Sequence, residues 1–168
     1  MIPGRARLPL LVLAVFYLHD AVLRNFRVDG IRPDLLLGLT VVAAVVGGPE
    51  RGAIAGFLGG FVIDLFLATP LGLTSLVWCA LGYVVGTLQV TILPHGRAAI
   101  PVTAFVASAA GEVAFALAAS MLGQPGMTNS HLLTVALIVA VVNSLVSVPL
   151  ARAVRWAVAG NPGERAYA

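Results

Sequence analysis

Lysine is absent from this chain, cysteine occurs once, and charge of either sign is scarce. Only 10% of the 168 residues are charged, against about 25% in soluble globular domains. Set beside 60% hydrophobic residues and a mean hydropathy of +1.00, that deficit excludes a water-soluble fold and puts the chain in the membrane class. The single cysteine, Cys79, excludes an intrachain disulfide and any cysteine-based metal cluster. It sits in an apolar run and reads as an inert packed thiol. The ten basic residues are all arginine, which, with the Ala, Val and Gly richness, reads as codon bias of a GC-rich genome. The net charge of +3 lies at the ends and in short loops. That placement suits the positive-inside rule and argues against a nucleic-acid partner.

Catalytic signatures are missing too. There is no Walker loop, no Gly-x-Ser-x-Gly and no His-Glu-x-x-His. An intramembrane aspartyl protease needs two aspartates at depth, yet no aspartate follows Asp64, and Asp20, Asp29 and Asp34 cluster near one loop. His19, His95 and His131 fall on both membrane sides, which excludes a shared metal site. The expectation is no enzyme and no cofactor.

What is present is six apolar segments, at about 8–25, 34–47, 52–68, 73–93, 98–122 and 131–156. They predict an all-α integral membrane protein, a six-helix transmembrane bundle in one domain spanning 1–168. The second and third segments are short for a span of about 20 residues. The second could therefore start obliquely, be partly re-entrant, or sit where the bilayer is thin. The Arg5/Arg7 start resembles a signal peptide without a cleavage site and reads as a retained first helix. Pro33-Asp34 marks a helix start with Asp34 as N-cap. Gly47-Gly48-Pro49 stops a helix, Pro70 and Gly72 make a turn, and Ser130 is a candidate N-cap for the sixth helix. With the N-terminus inside, Arg5, Arg7, Arg51, Arg97, Arg152, Arg155 and Arg165 fall on the cytoplasmic side and Arg24, Arg27 and Arg32 outside. This predicts both termini in the cytoplasm.

Two features stand out as candidates for function. Gly52, Gly56 and Gly60 repeat every four residues and share one helix face, which Asp64 and Ala68 continue. Such a stripe lets another backbone approach closely. Internal packing and docking of a partner's helix both fit it. Gly82 and Gly86 form a second small-residue pair. The other feature is charge at depth. Asp64 has three readings: a polar anchor that pairs with Arg24 or Arg27 or caps a neighbouring helix, a partner contact, or a proton or ion site. Glu112 lies mid-helix on a face with Ser108 and Ser120, and Asn143, Ser144 and Ser147 are possible partners. An interhelical hydrogen-bond site and a ligand or partner contact are both open. Asp20 and Arg24 are spaced as an i,i+4 pair. Asp20, Arg24, Asp64, Glu112 and Asn143 form the candidate intramembrane polar network.

The motifs Arg32-Pro33-Asp34-Leu35-Leu36-Leu37, Gly48-Pro49-Glu50-Arg51-Gly52, Gly56-Phe57-Leu58-Gly59-Gly60 with Asp64, and Pro70-Leu71-Gly72-Leu73 with Gly82-Tyr83-Val84-Val85-Gly86 together resemble the rod shape-determining protein MreD family. The resemblance is carried by roughly residues 30–90. It implies a non-enzymatic subunit of the bacterial cell-elongation complex in the inner membrane. Its implied partners are MreC, a single-span protein, and the elongation peptidoglycan synthase. The implied membrane fold is similar to the substrate-binding subunits of energy-coupling-factor vitamin transporters. A subunit of such a transporter is the alternative function, with Tyr17, Asp20, Asp64, Trp78, Glu112 and Asn143 as possible pocket lining. On the scaffold reading, Gly52, Gly56, Gly60 and Asp64 are the expected partner-helix interface.

Overall fold

The structure, a computed structural model, describes residues 4–23, 34–66, 70–91, 99–124 and 131–158. Six α-helices account for nearly all of them: α1 Gly4–Leu23, α2 Leu35–Gly47, α3 Pro49–Asp64, α4 Leu73–Thr91, α5 Ala99–Met121 and α6 Leu132–Val158. Of these, α4, α5 and α6 are long and apolar enough to cross a membrane by length and composition, and α2 is a shorter apolar helix. Arg24, Arg27, Asp29, Arg32, His95, Arg97, Ser130 and Arg165 lie outside the described residues.

The second helix is the hub. It contacts all five others, and every residue from Leu35 to Ala44 is buried. The cause is composition: its leucines and valines leave no polar side for it to turn outward. Its 13 residues span about 20 Å, well short of a hydrocarbon layer of about 30 Å. Protein surrounds it instead of lipid, so its length need not match the bilayer. Asp34 starts it, as Pro33-Asp34 predicts, accepting hydrogen bonds from the amides of Leu36 (3.0 Å) and Leu37 (3.3 Å).

Between α2 and α3 the expected loop to residue 52 does not exist. Gly48 alone joins the two helices, at φ 84°, a left-handed conformation that glycine adopts at little cost. Pro49 then takes the first position of α3, where its missing N–H is no loss. At its far end α3 stops at Asp64, four residues before the expected end at 68.

Polarity is inverted relative to a water-soluble bundle. Thr40, Asp64, Thr74, Ser75, Gln89, Thr103, Ser108, Asn143 and Ser147 are buried, while large apolar side chains are exposed on α1, α3, α4, α5 and α6. None of the exposed ones belongs to α2. Contiguous outward apolar surface of this extent fits lipid. The periphery is tied by local contacts. Arg7 lies over the Trp156 ring at 5.6 Å, joining α1 to α6. Phe16 stacks on Phe66 just past α3, at 5.3 Å between centroids. Ser144 donates to the Pro101 carbonyl across α5 and α6 at 2.9 Å.

The most extensive interhelix contact is α3 against α4, and glycine makes it. A Cβ added to Gly56 would lie 2.2 Å from the Trp78 carbonyl oxygen, one at Gly60 2.5 Å from Ser75 Cα, and one at Gly82 2.3 Å from the Gly52 carbonyl oxygen. Each is an atom of the facing backbone, so neither helix can yield without moving whole. Gly56→Leu is therefore expected to destabilise the bundle itself, by more than the roughly 1–3 kcal/mol of ordinary overpacking. Thermal unfolding of the purified variant in mild detergent checks this, with Phe57→Leu on the exposed face as the control that stays near wild type.

Candidate functional site

The glycine stripe has an occupant. Gly52, Gly56 and Gly60 are buried, and the backbone of α4 lies against them, with Gly82 and Gly86 making the matching approach from the other side. The face of Gly52, Gly56, Gly60 and Asp64, expected to receive a partner's helix, is packed against α4 of the same chain. A face already filled by α4 has no room for another backbone. Of the two readings of the stripe, internal packing is the one the geometry satisfies.

Asp64 is part of the same contact. It is 2% exposed and caps α4 from the end of α3. One oxygen, Oδ2, accepts from the Gly72 amide (3.0 Å), the Ser75 amide (3.1 Å) and the Ser75 hydroxyl (2.9 Å); Oδ1 accepts from the Thr74 amide (3.2 Å). A carboxylate at a helix N-terminus satisfies amides that have no intrahelical acceptor and meets the positive end of the helix dipole. The anchor reading therefore holds, in its helix-capping form.

The candidate polar network separates into parts. Asn143 is wholly buried and its Nδ2 donates to Ser108 Oγ at 3.0 Å, joining α6 to α5. It also presses against α2, where a Cβ on Gly38 would fall 2.7 Å from Asn143 Oδ1. Asp64 is committed to α4. Asp20 has an interaction of its own, and Arg24 lies outside the described residues. Glu112 opens on a different place, a cavity of about 170 Å³ lined by Asp34, Ile63, Thr74, Trp78, Glu112, Phe115, Val135 and Val139. It lies toward the end of the bundle where α2, α4 and α6 begin. There Asp34 and Glu112 line one cavity, and His19 of α1 lies near Asp34.

Asp34 and Thr74 are the polar members of this cavity that sequence reasoning did not place. Asp34 looked fully explained by its capping role, and no spacing connects positions 34, 74 and 112. Among the described residues, no group of three or more His, Cys, Asp or Glu stands close enough to hold a metal ion.

A second concavity, about 550 Å³, lies on the outer side of α3 and α4. Phe57, Phe61, Pro70, Leu71, Leu76, Cys79 and Leu122 contribute to it. Phe57 and Phe61 stack at 6.3 Å, and Leu71 and Leu76 are each 70% exposed. The i,i+4 phenylalanine pair was the available sequence signal for this face, and the neighbouring glycines masked it.

A family model described as rod shape-determining protein MreD matches residues 5–155. The chain belongs to the MreD family. Neither a curated protein nor a solved structure matches it. Membership extends the resemblance from residues 30–90 to nearly the whole chain. It makes this MreD-family chain a rod-shape-determining protein of the bacterial inner membrane, in keeping with its apolar exterior.

Within this family member Asp64 is the joint on which the α3–α4 turn depends. Asp64→Ala would leave three backbone amides and a hydroxyl without their acceptor in a buried place. The expected loss is at or above about 2 kcal/mol, the upper end of capping losses. Asp64→Asn keeps one acceptor oxygen and should fall between wild type and Asp64→Ala. Thermal midpoints of the three proteins in one detergent test that order.

Proposed function

We propose that this chain is a non-enzymatic membrane scaffold of the cell-elongation complex, holding an MreC-like single-span protein near the peptidoglycan synthase. The observation that carries the proposal is the family match over residues 5–155. In this reading all six helices lie in the membrane, both termini are cytoplasmic by the arginine balance, and the helices form one domain.

The partner's helix is assigned to the outer groove of α3 and α4. That groove is apolar and open, and it carries the stacked Phe57–Phe61 pair beside exposed Leu71 and Leu76. In lipid there is no hydrophobic drive for two helices to associate. Close packing decides association instead, and a rigid groove with aromatic walls supplies it. The α3–α4 contact behind the groove provides the rigidity.

The cavity at Glu112 weighs against the transporter alternative. Its volume of about 170 Å³ is below the roughly 300–1,000 Å³ typical of pockets that enclose drug-sized ligands, a size class that includes vitamins.

The test is co-purification of the tagged protein from its own membranes. Phe57→Ala combined with Leu76→Ala should reduce the recovered MreC-like protein several-fold while leaving the amount of inserted protein unchanged. Leu145→Ala on the exposed side of α6 should leave recovery intact. Equal recovery from the groove double variant and wild type would place the interface elsewhere. Recovery of importer ATPases in place of the MreC-like protein would sink the scaffold reading.

A further inference from the structure

The outer face of α6 changes character along its length. Val141, Leu145, Val148, Arg152 and Arg155 follow one another at steps of three or four residues, so they share one face. All five are exposed. Trp156, also exposed, stands one turn after Arg152. The 27 residues of α6 span about 40 Å, against a hydrocarbon layer of about 30 Å. The end that carries the two arginines therefore reaches headgroup level while the apolar part lies in the acyl region. Arg7 of α1 lies over the Trp156 ring at 5.6 Å and holds it in place. Arg7 has a further interaction of its own, whereas no hydrogen bond or ion pair engages Arg152 or Arg155 among the described residues. The described carboxylate at this end of the bundle is Glu50, on α3, and α3 makes no contact with α6. The negative end of the helix dipole accounts for Arg155 in the last turn. It does not account for Arg152 one turn earlier, nor for an apolar stripe that leads to both.

We propose that this face of α6 holds an anionic phospholipid, its phosphate on Arg152 and Arg155 and its acyl chains along Val141, Leu145 and Val148. A guanidinium matches a phosphate through paired N–H donors. Basic side chains at the membrane edge draw anionic lipid, and an amphipathic ring such as Trp156 belongs at the same depth. The stripe selects the source of the phosphate. A free phosphate or an acidic soluble peptide would use the arginines and leave the apolar residues idle, whereas a phospholipid carries both parts on one molecule at this depth. The inference rests on α6 crossing the membrane and not on the scaffold reading.

The experiment places the full-length protein in nanodiscs and reads quenching of Trp156 fluorescence, taken as the difference between wild type and Trp156→Phe. The probes are phosphatidylglycerol and phosphatidylcholine, each with a nitroxide high on one acyl chain. Wild type should favour phosphatidylglycerol by at least about five-fold. Arg152→Gln and Arg155→Gln should each lower that preference, and the double variant should bring it close to one. Arg51→Gln removes the same charge from an exposed position at the same end of the bundle and should keep the wild-type preference. Equal quenching of wild type by the two lipids overturns the proposal, as does a preference retained in the double variant. An equal loss in Arg51→Gln also overturns it, because it would report the general field of this end and not a site. A photoreactive residue in place of Val148 gives a second reading in native membranes. Cross-linking to phospholipid supports the proposal, and cross-linking to an acidic protein segment in its place overturns it. No MreC-like protein enters the quenching measurement, so its failure is distinct from failure of the scaffold reading.

Discussion

The burial of α2 is the constraint on which the bundle depends. A helix whose circumference is leucine, valine and alanine gains little by facing lipid in preference to protein. One of only 13 residues cannot reach across a bilayer by itself. Enclosure by the other five helices resolves both conditions. It also permits a single residue, Gly48, to connect α2 to α3, because neither helix end has to reach a membrane surface independently. The rest of the arrangement follows from filling the space around that core. Asn143 approaches α2 where Gly38 leaves room, and Leu37 and Leu81 meet the bare face of Gly111.

The α3–α4 pair is the second constraint, and it is held in two ways. Glycine removes the side chains that would separate the backbones. Asp64 then fixes the turn by accepting from Gly72, Thr74 and Ser75. Removing side chains costs dispersion contacts, but backbone-to-backbone approach recovers them, a solution suited to lipid where burial of apolar area gives no advantage. The consequence is functional. The stripe that looked like a docking face is spent inside the molecule. What α3 and α4 offer outward is their opposite side, where Phe57, Phe61, Leu71 and Leu76 line an open groove.

Charge is handled differently at the two acidic places near this end of the bundle. Asp64 is matched by donors on every side and acts as structure. Asp34 and Glu112 line a shared cavity, with His19 of α1 near Asp34.

Much of the helical framework was legible because lipid imposes a simple rule: apolar runs are helices, and proline, glycine and capping residues end them. Asp34 at the start of α2 and the small-residue approach of α3 were visible in that way. The chain by itself therefore determined its membrane class, its six helices and its family. Only the tertiary structure decided which helix is central, that α4 fills the Gly52–Gly56–Gly60 face, that α3 ends at Asp64 to cap its neighbour, and that Asp34, Thr74 and Glu112 meet. In a chain this apolar almost every helix face can pack against protein or lipid. The choice between them rests on backbone approach distances and on pairing of polar groups far apart in sequence, and neither has a period that can be read along the chain.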